Sequence, residues 1–125
     1  MQFSEGLVGP GRAFFQQAVR QAQEGIMAMI IGWQAGVCGL RGLLVAAPWS
    51  GRLRYVATVR TGFTDAERRR LPAVLAGHRR ARQVVPCPYR GLWLEPELMC
   101  QVNYLEWTRA GRLRGASFHG MLAVP

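Results

Sequence analysis

The sequence predicts a small, mainly β domain: a five-stranded barrel with a helix between strands three and four, after an N-terminal helix-strand arm. Short apolar or alternating runs separated by turn residues predict the strands. A charged segment led by Thr64 predicts the helix, and 125 residues are enough to form one hydrophobic core. This order of elements fits an OB-fold, a barrel common among nucleic-acid binders.

The arm comes first. Residues 11–23 predict a helix because apolar side chains recur along one face, at Phe14, Ala18 and Ala22. Gly25 is expected to end that helix. The run IMAMIIGW is short, apolar and uncharged, which predicts a buried strand.

A hairpin is predicted next. The runs 40–49 and 52–62 are strand-like, and Ser50-Gly51 between them is a plausible tight turn. In the second run, apolar residues alternate with arginines, which predicts a half-buried strand with an arginine-rich outer face. Val56 is the one break in this alternation. The residues expected on the inner face are Leu53, Tyr55, Ala57 and Val59.

The helix between the third and fourth strands is predicted to begin at Thr64, because Glu67 completes a capping box with it. Pro72 is expected to kink this helix or to start a second one. The apolar-leaning face is expected to consist of Leu71, Val74, Leu75 and His78.

The last third of the chain predicts more strands. A loop is expected at 86–91, and residues 92–108 are strand-like on both sides of Pro96. Arg109 to Gly111 predict a turn, and residues 112–122 predict one last short strand. The more apolar face of the long strand is expected to consist of Leu98, Cys100, Val102 and Tyr104.

The charge is strongly one-sided, with 16 basic residues, 7 acidic residues and a net charge of +9. All the basic residues are arginines, and the chain contains no lysine. Such a field attracts polyanions, so nucleic acid is the first partner to expect. A membrane surface is the second, but no apolar run is long enough for a transmembrane helix.

The cysteines and histidines do not form a metal-binding pattern. Cys38, Cys87 and Cys100 are widely spaced, and neither His78 nor His119 completes a zinc motif with them. We therefore expect free thiols in a reducing compartment and no metal site. The first residues also lack the features of a signal peptide, so a cytoplasmic protein is expected.

Three segments together resemble a known family. They are GRLRYVATVRTGF (51–63), LWLEPELMCQVNYLEWT (92–108) and GRLRGASFHG (111–120). In content and order they are similar to the C-terminal OB domain of bacterial ATP-dependent DNA ligases of the ligase D type. The opening resembles the last helix and strand of the adenylation domain of these enzymes. The resemblance implies a remnant of that domain over residues 1–29 and an OB-fold domain over residues 30–125.

The sequence departs from the family where the chemistry takes place. Family ligases use ATP and Mg, and a lysine amine forms a covalent bond with AMP. In the family motif EGIMAK, Glu24 and Gly25 are kept but the lysine is Met29, and the segment that follows is missing, as is the upstream adenylation domain. An arginine cannot replace the lysine, because it stays protonated. We therefore expect no catalytic residue, no cofactor and no ligase activity for this chain alone.

The final family motif, RxxSFxG, is kept in part. Its proline is Ala116 here, and the basic tail that follows it in the family is apolar. Since these basic residues help to orient the triphosphate in the family, that role is not expected here. The motif residues that are kept are Arg114, Ser117, Phe118 and Gly120.

The family's OB domain also clamps DNA, which needs arginines but no lysine nucleophile. The main hypothesis is therefore a binding domain for duplex or nicked DNA, independent of sequence and associated with a full-length ligase or repair complex. The alternatives are a ligase subunit that acts in trans, and a non-catalytic interaction protein or gene remnant. A homodimer through the N-terminal arm is a further expectation. The DNA-contacting candidates are Arg52, Arg54, Arg60, Arg112 and Arg114, with Arg68 to Arg70 as weaker ones.

Overall fold

A computed structural model of the chain describes residues 24–37 and 39–122. Seven strands and one helix lie within these residues. In chain order they are β1 (Glu24–Gly36), β2 (Gly39–Trp49), β3 (Arg52–Val59), α1 (Asp65–Ala76), β4 (Leu92–Tyr104), β5 (Glu106–Trp107), β6 (Leu113–Arg114) and β7 (Ser117–Met121).

Five of the strands form one antiparallel sheet in the order β3-β2-β1-β4-β7, and β5 pairs with β6 in a separate hairpin. The two edges of the sheet meet, because the backbone N–H of Phe118 donates to the carbonyl of Thr61, just after β3, at 2.8 Å. The sheet therefore curls toward a closed barrel. The prediction of a mainly β OB-fold with a helix between the third and fourth strands is confirmed.

The central strand is β1, which pairs with β2 on one side and with β4 on the other. The strand predicted from Ile26 is thus part of a longer one, and Gly25 lies in β1 rather than at a helix end. β1 also runs without interruption across positions 29 and 30, so the assignment of residues 1–29 to an adenylation remnant stays a proposal. The helix predicted at 11–23 lies outside the described residues.

The predicted hairpin of β2 and β3 is confirmed. Its turn residues both have positive φ, 51° at Ser50 and 79° at Gly51, which matches the turn that fits the twist of paired strands. A bulge interrupts the pairing, because Ala46 faces Tyr55 while the next residue, Val45, faces Ala57. The extra residue is Val56, where the alternation of the sequence also breaks.

The bulge corrects the prediction of a single inner face. An extra residue reverses which side of the strand each later side chain occupies. Leu53 and Tyr55 therefore pack in one hydrophobic cluster, whereas Ala57 and Val59 pack in the other. The arginines before and after the bulge do not share one outer face, as alternation alone had predicted.

The start of α1 is as predicted: the N–H of Glu67 donates to the Thr64 hydroxyl at 3.0 Å, and the Glu67 carboxylate accepts from the N–H of Thr64. Of the two outcomes predicted for Pro72, a second helix is wrong, because α1 is one helix of 12 residues that contains Pro72. The prediction for the apolar face of the helix is wrong in part. Only two of the four predicted apolar residues are buried, Leu71 and Leu75, because Val74 faces solvent and His78 lies beyond the helix end.

Pro96 does not interrupt β4. The ladder with β1 is irregular at this point, where the pairing jumps from Leu98 to Trp93, so Pro96 has no partner on β1 and its missing N–H is tolerated. The predicted apolar face of β4 is confirmed, since Leu98, Cys100, Val102 and Tyr104 are all buried. The last predicted strand is two strands, because the chain turns at Gly115 with φ of 68°.

No helix among the described residues is long and apolar enough to cross a membrane.

Candidate nucleic-acid interface

A groove of about 500 Å³ lies beside the edge strand β3. We call it the Tyr55 groove. Strand β3, the loop before β4 and the segment before β6 all contribute to its wall. The aromatic, polar and charged side chains that line it, together with one proline, are Tyr55, Thr58, Arg60, Pro88, Tyr89 and Arg112.

The bulge at Val56 builds one wall of the groove. Because of it, Tyr55 and Thr58 lie on the same side of β3, and their hydroxyl oxygens are 2.6 Å apart. The Tyr55 side chain is almost fully buried, and this burial raises the pKa of its hydroxyl. The hydroxyl therefore stays protonated at neutral pH, with its hydrogen-bonding needs met by Thr58.

Arg112 forms the opposite wall and is held in place. Its backbone N–H donates to the Thr108 hydroxyl at 3.1 Å, and its guanidinium donates to the Ala110 carbonyl at 3.2 Å. The guanidinium carbon lies 5.0 Å from the centre of the Tyr55 ring, a cation–π distance. A positive charge is thus fixed over the aromatic wall while most of its N–H donors are left available.

Arg60 closes one end of the groove. Its guanidinium donates to the side-chain oxygen of Gln34 at 3.4 Å, and the Gln34 amide donates to the Arg90 carbonyl at 3.1 Å. Arg90 and Arg41 line a neighbouring depression beside Gln34. The positive surface therefore continues from the groove past Gln34 to these two arginines.

Arg52 and Arg54 lie at the other end. They line a cavity of about 350 Å³ together with Arg112, which also lines the Tyr55 groove. Because of the bulge, Arg54 and Arg60 lie on opposite sides of β3, but Tyr55 and Arg112 line both cavities, so the two cavities adjoin. The structure thus brings four of the five predicted arginines to one continuous surface: Arg52, Arg54, Arg60 and Arg112.

This surface carries charge without neutralising partners. None of the residues that line the two cavities is acidic. Among the described residues, three carboxylates are paired elsewhere, Glu95 with Arg80, Glu97 with His78 and Glu106 with Arg114. A concave, positively charged surface with an aromatic wall suits a phosphate-rich polymer.

Comparison with known proteins identifies the family of the chain. The family model for the C-terminal region of ATP-dependent DNA ligases matches residues 38–122. The chain belongs to this family. The ligase D resemblance of the sequence is thereby confirmed.

The relatives include the multifunctional non-homologous end joining DNA repair protein LigD of Mycobacterium tuberculosis H37Rv, which is 34% identical over 103 residues. The match covers 74% of this chain and 14% of the relative. LigD of Pseudomonas aeruginosa is 37% identical over 76 residues, covering 56% of this chain and 9% of the relative. The chain thus spans only a small part of the curated relatives that it matches.

Solved structures agree. The crystal structure of the ligase domain of M. tuberculosis LigD superimposes with a TM-score of 0.73 at 31% identity, covering 80% of this chain and 35% of that one. A Lig E DNA ligase structure gives a TM-score of 0.51 at 23% identity, covering 80% of this chain and 30% of that one, and this supports the fold alone.

The ligase motif RxxSFxG holds the structure together. Phe118 is buried and stacks on Phe63 at 4.5 Å between ring centres. Ser117 pairs with Asn103 of β4, and Gly120 has φ of 125°, a conformation that side chains disfavour. Three of the four kept residues therefore have structural roles in this ligase domain.

The fourth kept residue, Arg114, is already paired. Its guanidinium donates to the Glu106 carboxylate at 2.6 Å, directly across the β5–β6 hairpin. Both side chains are exposed. Arg114 does not line either cavity of the four-arginine surface, so the structure separates it from the other four predicted arginines.

The two residues kept from the EGIMAK motif, Glu24 and Gly25, lie in β1 of the sheet. Glu24 pairs with Tyr104, and Gly25 pairs with Asn103 at the start of β1. A Cβ at Gly25 would meet only the ends of the Gln101 and Asn103 side chains, which can shift.

The three weaker candidates on α1, Arg68 to Arg70, have different environments. The Arg68 guanidinium donates to the carbonyls of Leu40, Arg41 and Arg60, at 3.0, 3.3 and 2.8 Å, so this side chain fastens the helix to the sheet. Arg69 and Arg70 are exposed and lie outside the cavity linings.

Sequence reasoning missed three contributors to the surface, Gln34, Tyr89 and Arg90. The pair of prolines in PCPY was the available signal for Tyr89, because prolines stiffen the loop that presents it. Among the described residues, no group of three or more potential metal ligands comes together. Cys87 and Cys100 are free thiols, and burial raises the pKa of Cys100 to about 12.

Proposed function

We propose that this ligase-type domain binds the sugar-phosphate backbone of duplex or nicked DNA, independent of sequence, as part of DNA repair and end joining. The observation that carries the proposal is the convergence of Arg52, Arg54, Arg60 and Arg112 on one surface without a carboxylate. Each side chain presents donors that fit a phosphate. Phosphate contacts give affinity and orientation but no base recognition, hence the independence of sequence.

The domain is not proposed to be a self-sufficient ligase. The sequence contains no lysine, so these residues cannot form lysyl–AMP, and an arginine cannot act as the nucleophile. The RxxSFxG residues support the same view, because Phe118, Ser117 and Gly120 serve the fold and Arg114 is paired with Glu106. A ligase subunit that acts in trans stays the alternative, and incubation with labelled ATP and a separate adenylation domain would distinguish it.

Fluorescence anisotropy with nicked duplex, intact duplex and single-stranded DNA across a salt series tests the proposal. We expect affinity to fall with salt with a log–log slope of about 3 to 6, because each neutralised phosphate releases bound counterions. The double variant R60A/R112A should bind about tenfold more weakly and lower the slope by about 2. R60K/R112K should keep most of the affinity, because the positive charges are retained.

Arg70→Ala is the matched control for loss of an arginine. Arg70 is exposed on α1 and lies outside both cavity linings, so its removal should change the affinity less than twofold, roughly the effect of one distant surface charge. If R70A weakened binding as much as R60A/R112A, the charge of the whole molecule and not this surface would be responsible. Absence of binding at low salt would refute the proposal.

Two finer proposals concern partners and location. The domain would serve a full-length ligase or repair complex in the cytoplasm, and a second copy could associate through the residues before β1. Multi-angle light scattering of the full chain would test the second copy, and a monomer at all concentrations would exclude it.

A further inference from the structure

Tyr89 is an exposed aromatic ring inside the positively charged groove. Its side chain is 47% exposed, although its ring lies 5.9 Å from the buried ring of Tyr55. One side of Tyr89 therefore has a partner and the remainder is open to the groove. Exposure of a tyrosine is unremarkable by itself, but here Arg60 and Arg112 line the same cavity.

The loop that carries Tyr89 is restrained from both sides. Pro86 and Pro88 fix the backbone just before it, and the Gln34 side chain holds the carbonyl of Arg90 just after it. A ring held in this way loses little conformational entropy on binding a ligand, which favours a recognition role.

Arg60 and Arg112, which line the same groove as Tyr89, are suited to bind the phosphates of a nucleotide. The guanidinium of Arg112 is fixed over Tyr55 by the Ala110 carbonyl, and Arg60 is oriented by Gln34. A groove of about 500 Å³ is large enough for a nucleotide-sized group. Aromatic rings next to backbone-binding arginines are how proteins hold single-stranded nucleic acid, because every base has a face that can stack.

We infer that Tyr89 stacks on an unpaired nucleobase while Arg60 and Arg112 hold the adjacent phosphates. The Tyr55 groove is then a site for single-stranded nucleic acid, as found at a gap, flap or frayed end. The inference rests on the proposed function, since it assigns the arginines to phosphates, and adds to it a preference for an unpaired base.

The test compares Y89A, Y89F and the parent chain on a single strand of thymidines and on a duplex of the same length. Y89A should weaken single-strand binding about fivefold to tenfold, the lower part of the range for loss of one stacked base. Its effect on duplex binding should be clearly smaller, because a paired base does not stack on Tyr89, and Y89F should match the parent on both. Because Tyr89 is exposed, Y89A should fold, which circular dichroism would verify.

A single strand with 2-aminopurine reports stacking directly, since its fluorescence falls when the base stacks. Quenching by the parent chain and Y89F but not by Y89A is the expected result. If R60A/R112A lost affinity for both DNAs while Y89A lost none, the stacking inference would be overturned and phosphate binding would stand. If R60A/R112A lost none on duplex DNA, phosphate binding itself would fall.

Discussion

Two arginines in the part of the chain that the structure describes lie over aromatic rings, and they have different environments. Arg112 lies 5.0 Å from the centre of Tyr55, and Arg68 lies 4.9 Å from the centre of Phe63. Arg68 donates three hydrogen bonds to backbone carbonyls, whereas Arg112 donates one from its side chain. The first guanidinium is therefore largely used by the fold, and the second keeps donors for a ligand.

The aromatic rings beneath Arg68 and Arg112 also differ in their surroundings. Phe63 stacks on the buried Phe118, so the ring beneath Arg68 is part of the barrel core. Tyr55 instead forms the wall of an open groove with Tyr89. An arginine over an aromatic ring thus stabilises the fold at Phe63 and is available to a ligand at Tyr55. What distinguishes them is whether backbone carbonyls satisfy the arginine, which sequence alone does not reveal.

The largest expected effect is on stability, through Arg68→Ala. Removing this side chain leaves three carbonyls without their donor and exposes Phe63, so the free energy of unfolding should fall by about 2 to 3 kcal/mol. Urea denaturation would measure the loss. DNA affinity at a temperature where the variant is folded should stay within twofold of the parent, roughly the effect of one surface charge.

Arg69→Ala is the neighbouring control. Arg69 has the same charge on the same helix but is exposed, so its removal should change stability by no more than about 0.5 kcal/mol. If both variants lost equal stability, the carbonyl contacts of Arg68 would not explain its role. If R68A also abolished DNA binding while folded, the contrast with Arg112 would be wrong.

Sequence patterns were sufficient for most of the fold. The capping box at Thr64, the turn at Ser50-Gly51 and the buried face of β4 are local features, and each is found as predicted. At Pro72 and Pro96 the sequence left two outcomes open, and the structure has one helix and one strand there rather than two of each.

The geometry of the candidate site was harder to predict from the sequence than the fold. Arg52, Arg54, Arg60 and Arg112 line neighbouring cavities, but not in the geometry that alternation predicted, because the Val56 bulge places Arg54 and Arg60 on opposite sides of β3. They lie along one surface because Tyr55 and Arg112 line both of its cavities, and Arg112 comes from a distant part of the chain. Their contact with DNA stays a proposal. The pairing of Arg114 with Glu106 is similarly a property of the β5–β6 register.

Stability at alkaline pH tests the burial of Cys100 in the core. Burial raises the pKa of Cys100 to about 12, whereas an unfolded thiol has a pKa of about 8.5. Between these values the folded chain keeps a proton that the unfolded chain loses, so stability falls as pH rises. The loss attributable to Cys100 should reach about 3 kcal/mol near pH 10.5.

Urea denaturation at a series of pH values would show this slope. Cys100→Ala should be less stable at neutral pH, because it leaves a small cavity, but its stability should fall less steeply above pH of about 8.5. Cys87→Ala should retain most of the slope, since Cys87 is only partly buried. A parallel fall for C100A would point to Tyr55, whose pKa burial also raises, rather than to the Cys100 thiol.

The smallest expected effect concerns Arg114, which combines features of both arginine types: it is exposed, yet paired with a carboxylate. Glu106→Gln should release its charge and strengthen DNA binding about twofold, in keeping with the small energy of an exposed ion pair. Stability should barely change. The salt slope measured by anisotropy should rise by up to about 1 if Arg114 then meets a phosphate.

Glu97→Gln is the matched control, because it removes the same charge from another exposed carboxylate, one paired with His78. A gain for E106Q alone would mean that Glu106 restrains a fifth DNA-contacting arginine, beside the surface formed by Arg52, Arg54, Arg60 and Arg112. An equal gain for both variants would mean that only net charge had changed. Arg114 would then belong with Arg68 as an arginine committed to the fold, and the recognition surface would end at Arg112.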